Sequence, residues 1–240
     1  MQMYPDDRED GDRELEDREH FDRIATGYVR KDLAASSRAA RQFRALATFT
    51  AAPIGPGAAV LEVGCGAGYA VDYLDTRFRT YVGVDHSGEL VGIARRIHTR
   101  PGVEFHEGRV QDLALENGFD CVFVIGVLHH LDDVHAALAR MVHSLRPGGW
   151  LVVNEPQPSN PVVRIARAVR KLVDSTYSAD QVEFSAAELQ AMFEGAGLRA
   201  VTTTPQGFFS TPFAEVPLPL AVVTVRLARV AVWLDRRIAS

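Results

Sequence analysis

Residues 60–69 read Val60-Leu61-Glu62-Val63-Gly64-Cys65-Gly66-Ala67-Gly68-Tyr69. A short β-branched run meets glycines at alternate positions, and a helical pattern follows. The stretch predicts a strand at Ala59–Val63, a tight turn, and a helix from about Tyr69 to Arg77. Alternate glycines let the backbone turn sharply and approach a ligand closely. The helix behind them offers its N-terminal amides to whatever lies there. The spacing is not the dinucleotide fingerprint GxGxxG, whose third glycine falls at Tyr69 counted from Gly66 and at Ala67 counted from Gly64. That disfavours a nicotinamide dehydrogenase. Downstream, Tyr81-Val82-Gly83-Val84-Asp85 ends a second strand, Thr80–Val84, on a carboxylate. An acid in that place can accept hydrogen bonds from both hydroxyls of a ribose.

The alternation continues outward. Ser87–His98 predicts a helix with Ser87 as N-cap, and Val103–His106 a third strand. Phe119–Ile125 is nearly all apolar, as suits a strand buried on both faces. Asp132 or Asp133 can cap a helix to about Leu145, which Arg146-Pro147-Gly148-Gly149 stops. Trp150–Val153 reads as a fifth strand. Ser185 and Glu188 form a capping box for a helix ending near Gly195-Ala196-Gly197, and Leu198–Thr203 reads as a sixth strand. The order predicts an α/β fold: a doubly wound, mostly parallel sheet of six to seven strands with helices on both faces. Ligands of such sheets sit at the carboxyl ends of the strands.

The 240 residues, 47% hydrophobic and 24% charged, suit one large domain. A net charge of −5 speaks against a general nucleic-acid binder. Residues 1–22 hold ten acids and three arginines, a balance of −7, so the rest of the chain stands at +2. This head reads as a solvated or frayed segment, with a lid or a dimer arm as the alternatives. An acidic N-terminus without an apolar run carries no visible export signal and predicts a cytoplasmic protein. Cys65 and Cys121 form no CxxC pair and suggest neither a disulfide framework nor a metal site.

Residues 58–155 resemble a class I S-adenosylmethionine-dependent methyltransferase, a Rossmann-like fold, and in particular its small-molecule branch, which includes quinone and natural-product methyltransferases. The resemblance rests on Leu61–Gly68, Gly83-Val84-Asp85, Phe119-Asp120 leading to Val127-Leu128-His129-His130-Leu131, and Leu145–Gly149. Upstream, Phe21-Asp22-Arg23-Ile24-Ala25-Thr26-Gly27-Tyr28 is similar to that branch's entry segment. It implies that Glu62 holds the methionine ammonium of S-adenosylmethionine, directly or through water. The backbone of Gly64, Cys65, Gly66 and Gly68 would lie against sugar and methionine. Asp85 would bind the ribose, His86 would flank the adenine, and Tyr28 would close over the methionine end. Arg109, Val110 and Gly126 complete the implied cofactor set. One position departs from the pattern. Gly108-Arg109-Val110 stands where the family has Gly-Asp-Ala, and an arginine cannot accept a hydrogen bond from the adenine amino group. Gln111 or Asp112 would have to substitute, or the adenine would rest on backbone amides and stacking.

Methyl transfer is an in-line displacement in which alignment does much of the work. A base helps when the acceptor must lose a proton. His130 and His129, just past the fourth strand, are the candidate bases, with packing and capping as their alternative use. Glu155 at the end of the fifth strand is a further candidate. No Asp/Asn-Pro-Pro-Tyr follows the fourth strand, which argues against nucleobase amino methylation. A non-methylating rearrangement or cyclisation on the same cofactor, or a binding role without catalysis, is the rival reading.

Two segments are basic and amphipathic. In Val162–Val173 the residues Arg164, Arg167, Arg170 and Lys171 share one face, and in the tail Arg226, Arg229, Arg236 and Arg237 do so. Solvated faces on the body are the ordinary outcome; a greasy lid for an apolar substrate, touching a membrane surface, is the sharper one. The tail offers Gln206–Ser210 or Ala221–Val225 as a seventh strand, or a helix packed on a second protomer as a homodimer. The chain thus divides into an acidic head with lid helices (1–50), a cofactor-binding catalytic domain (51–204) with a helical insertion (156–183), and an apolar, basic C-terminal segment (205–240).

Overall fold

A computed structural model describes residues 12–112, 118–156, 184–211, 213 and 221–238. Two helices, α1 (Asp12–Leu33) and α2 (Ala35–Phe49), precede β1 (Ala59–Val63). Then come α3 (Ala70–Leu74), β2 (Thr80–Asp85), α4 (Gly88–Ile97), β3 (Val103–Glu107), β4 (Phe119–Ile125), α5 (Val134–Ser144) and β5 (Leu145–Asn154). The chain continues through α6 (Ala186–Gly195) to α7 (Ala221–Ile238).

Among the described residues the sheet has five strands in the order β3-β2-β1-β4-β5, every pair parallel. Side chains alternate across it, as strand geometry requires. Val60, Tyr81, Cys121 and Phe123 pack against Phe49, Val71, Leu74 and Val91 on one face. Leu61, Val63, Val122 and Val124 pack against Ala137, Met141 and Leu189 on the other. Burying each large aliphatic side chain contributes about 2 kcal/mol. The order reverses between β1 and β4, and there the carboxyl edge opens into a crevice.

The caps fall where the side chains allow. Ser87 Oγ accepts from Leu90 N–H, Asp133 caps α5 through Ala136 N–H, and Ser185 with Glu188 forms the capping box of α6. Each such cap contributes about 1 kcal/mol. Asp120 ties the sheet's lower edge, accepting from Ala59 N–H at 2.7 Å and pairing with Arg146.

Several expectations are corrected. The sheet of six to seven strands is not found among the described residues. Leu198–Thr203 forms no strand, because Ala200 turns into the left-handed region at φ +55° and breaks the extended run. Gln206–Ser210 ends in a turn, and Ala221–Val225 opens a helix. The helix after the glycine turn stops at Leu74 instead of Arg77, since Asp75 takes φ +48°. The fifth strand starts at Leu145, absorbing Arg146–Gly149 as a bulge: Phe119 faces Leu145, yet Cys121 faces Trp150. The basic helix expected at Val162–Val173 lies outside the described residues.

Helix α7 packs with an unexpected face. Ala228, Ala231, Thr224 and Asp235 are its buried residues, and Asp235 accepts from Phe209 and Ser210 N–H, both at 2.9 Å. Val223, Leu227, Val230 and Trp233 stand exposed beside the four arginines. No described helix is long and apolar enough to cross a membrane.

Candidate active site

The crevice begins at the glycine turn. Gly64 and Cys65 both donate to the Val84 carbonyl, at 2.8 and 3.0 Å, folding the loop onto the end of β2. Gly64 has φ +73°, and a Cβ there would come within 2.1 Å of Val127. Gly66 has φ +52°, but nothing stands within 4 Å of where its Cβ would be. One glycine is thus required by the protein's own packing; the other keeps a space clear. Asp85 binds the loop from below, its two oxygens accepting from Gly66 N–H (2.7 Å) and Ser87 N–H (3.0 Å). Burial pushes the Asp85 carboxyl above the usual carboxylate range; the neighbouring His86 and the two N–H donors offset that only in part.

Above the turn lies a cavity with about 760 Å³ of empty space, part of it open to solvent. Gly64, Gly66, Asp85 and His86 line it on one side. Arg109, Val110 and Gly126 line it from the loops after β3 and β4, and Tyr28 and His130 complete the expected wall. Four expected residues lie outside that wall. Cys65 is buried in the core, where burial holds its thiol well above the usual range. Gly68 packs under Phe105. His129 and Glu62 point elsewhere.

The acidic head, from Asp12 onward, is no solvated segment. Helix α1 lies across the cavity, and its acids take donors from three loops. Glu14 is 4% exposed and accepts from Asp132 N–H (3.0 Å) and the Gln111 amide (3.1 and 3.2 Å). Asp17 meets His130 at 2.7 Å. Asp22 accepts from Ser87 Oγ at 2.5 Å and Glu89 N–H at 3.2 Å, and Arg18 pairs with Glu107 at 3.0 Å. Phe21 packs edge-on against Tyr28 and His130. Helix α1 thereby supplies Glu14, Phe21 and Tyr28 to the cavity wall. Glu14, Asp17, Phe21, Ala25 and Tyr28 recur every three or four residues, a helical stripe that was available as a signal. Net charge hid it, since acids count as solvated until partners are known.

The two histidines have different surroundings. His129 Nδ1 lies 2.7 Å from Glu155 Oε2, while Glu155 Oε1 accepts from Val127 and Leu128 N–H, both at 2.8 Å. Glu155 is thereby spent on holding the turn after β4. His130 faces the cavity with its Nδ1 on Asp17. Burial alone would raise the Asp17 carboxyl, but the hydrogen bond and charge of His130, with His86 and His20, hold it below the ordinary value. An ionised carboxylate only accepts, so His130 carries a ring proton on Nδ1 in this contact.

Glu62 is 5% exposed and accepts from the Tyr81 hydroxyl beneath the loop. Burial pushes it from 4.5 to about 8. Between those values the folded state keeps a proton that the unfolded state has lost, so stability falls as pH rises across the window. Glu62→Gln is expected to flatten that decline and to be the more stable protein at pH 8. Urea denaturation at pH 5 and 8 reads it; identical pH slopes for wild type and variant would refute it.

Open space over Gly66, an acceptor carboxylate in Asp85 and apolar walls from Leu90, Val110 and Leu131 fit an adenosyl sulfonium cofactor. The comparisons with known proteins agree. A family model described as a methyltransferase domain matches residues 35–203. The chain belongs to this family, the class I S-adenosylmethionine-dependent methyltransferases, and S-adenosylmethionine is its cofactor. It is 34% identical over 116 residues to a fatty-acid O-methyltransferase of Mycolicibacterium smegmatis, spanning 47% of this chain and 42% of that protein. It is also 34% identical over 109 residues to a phthiotriol/phenolphthiotriol dimycocerosates methyltransferase of Mycobacterium ulcerans, spanning 44% of this chain and 40% of that one. The matched region is thus about two fifths of each relative's length. In fold it is similar to an S-adenosylmethionine-dependent methyltransferase of Thermotoga maritima, with a TM-score of 0.61, 22% identity and 83% and 88% of the two chains covered. Magnesium protoporphyrin IX methyltransferase of Synechocystis, solved with S-adenosylhomocysteine bound, gives a TM-score of 0.59 at 17% identity, over 78% and 89%.

Proposed function

We propose that this protein transfers a methyl group from S-adenosylmethionine to an oxygen, carbon or nitrogen of an apolar small molecule, with His130 as general base. The observation that carries the reading is the meeting of Gly66, Asp85 and His130 on one cavity. Bound there, S-adenosylmethionine supplies an electrophilic methyl group on a sulfonium sulfur. Asp85 would hold the ribose hydroxyls, and Gly64 and Gly66 would let the loop backbone approach. Glu62, beneath the loop, would act on the methionine end through the loop or water. His130 Nε2 would take the proton the acceptor loses as its lone pair forms the new bond to carbon; the carbon–sulfur electrons stay on sulfur. Helix α1 would exclude water. His129, held by Glu155, would position the turn that carries His130.

An apolar acceptor is supported by the names of the mycobacterial relatives, whose substrates are a fatty acid and dimycocerosates. Calorimetry with S-adenosylmethionine, followed by incubation with a fatty-acid and lipid-phenol panel, tests the reading. Binding and acceptor-dependent S-adenosylhomocysteine formation are expected. Absence of binding by the wild type would overturn the cofactor assignment, and isomerised product without S-adenosylhomocysteine would overturn the transfer.

A further inference from the structure

We propose that Glu14, on the N-terminal helix, is the acceptor that reads the exocyclic amino group of the cofactor's purine. The inference rests on the cofactor reading above. An adenine edge brings N–H donors into the cavity, and a buried donor left without an acceptor costs about 1–3 kcal/mol. Among the described residues, the carboxylates lining the cavity are Asp85 and Glu14. Asp85 sits at the glycine turn, bound to Gly66 and Ser87.

The groups after β3 cannot serve. Arg109 has no acceptor atom. Asp112 is spent on Arg109, to which both its oxygens bind at 2.6 and 3.0 Å. Gln111 turns its amide nitrogen onto Glu14, and its Oε1, buried without a hydrogen-bond partner among the described residues, belongs to a residue that does not line the cavity. The polar groups of that loop therefore converge on Glu14, whose Oε2 also lies 3.7 Å from the Arg109 guanidinium. Oε1 already takes Gln111 and Asp132 N–H; Oε2 takes the longer Gln111 hydrogen bond, 3.2 Å, beside the Arg109 ion pair, and has a lone pair to spare. A glutamate 4% exposed on a surface helix is uncommon unless it is paired or used. Here it is both held in place and part of the cavity wall. Base selectivity would then sit on the lid, and purine binding would help hold the lid down.

The test compares two ligands on purified full-length protein: S-adenosylhomocysteine and its analogue with hydrogen in place of the 6-amino group. Wild type is expected to prefer the amino ligand by about tenfold, the worth of one hydrogen bond to a charged acceptor. Glu14→Met, similar in length but without an acceptor oxygen, should bind both ligands alike, the ratio of the two affinities falling from about tenfold to about one even where loss of the Asp132 and Gln111 contacts lowers both. Glu14→Gln keeps one carbonyl acceptor and should keep part of the preference. If Glu14→Met weakens both ligands by the same factor and so keeps the preference, Glu14 is a lid staple and the proposal is wrong; it is equally wrong if wild type fails to discriminate. Should the methionine variant not fold, an undiminished preference in Glu14→Gln together with no wild-type discrimination against a 6-oxo analogue would also overturn it. Failure of wild type to bind either ligand would refute the cofactor reading instead.

Discussion

Asp85→Ala is expected to weaken S-adenosylmethionine binding by about three orders of magnitude. The side chain would contribute two hydrogen bonds from ribose hydroxyls to a charged acceptor, about 4 kcal/mol together. Each 1.4 kcal/mol is tenfold in affinity, hence the size of the loss. The fold should survive. The protein partners Asp85 gives up are the N–H groups of Gly66 and Ser87, and Gly66 lines the cavity, where water can replace a carboxylate. Near-native circular dichroism and a melting point within a few degrees are therefore expected beside the lost binding. Asp85→Asn keeps one acceptor oxygen and should fall between the two. The pH dependence has a definite sign. The ionised carboxylate is the form that accepts both hydroxyls, and burial holds Asp85 above the usual carboxylate range. Affinity should thus decline on acidification beginning at a higher pH than an ordinary aspartate would give, and Asp85→Asn should lose that decline. An Asp85→Ala variant that binds within tenfold of wild type would end the ribose assignment.

How this site was legible in the sequence follows from which interactions are local. The glycine turn, Asp85 at the end of β2, and the Ser87 and Ser185 caps depend on residues within a few positions of one another, and each stands where the spacing put it. Strands β1, β2 and β4 follow because central strands covered on both faces must be largely apolar. The acidic helix was not legible because its meaning is in distant pairs: Glu14 with Asp132, Asp17 with His130, Asp22 with Ser87. A carboxylate reads as a solvated charge until its partner is known. Leu198–Thr203 had strand composition, but a single backbone inversion at Ala200 undid it. Helix α7 misled by size: the small Thr224, Ala228 and Ala231 are buried, Asp235 is buried because it accepts from Phe209 and Ser210 N–H, and Val223, Leu227, Val230 and Trp233 stay exposed.

His130→Ala is expected to cut turnover of a proton-losing acceptor by about 10²–10⁴, the range for a positioned general base. Asp17→Asn should lower turnover by a smaller factor, about tenfold to a hundredfold, by changing which ring nitrogen carries the proton. With Asp17 as a carboxylate, Nδ1 must donate, and Nε2 is left as acceptor. An asparagine can instead turn its amide nitrogen toward Nδ1, which then accepts, and the ring proton moves to Nε2, where it blocks the base. A purely structural role for Asp17 would not move the tautomer, so the decisive readout is the nitrogen chemical shift of the His130 ring. Wild type should show the Nδ1-protonated form, and Asp17→Asn should show a mixture or the reverse, with cofactor affinity unchanged. His129→Ala separates the neighbouring ring, whose centroid is only 4.2 Å from that of His130. Its Nδ1 is on Glu155, which also holds Val127 and Leu128, so its loss should disturb the turn and lower turnover less than the loss of His130. If His129→Ala abolishes turnover while His130→Ala keeps it, the base is His129 with Glu155 behind it. The Asp17 contact would then serve only to fasten the helix over the site.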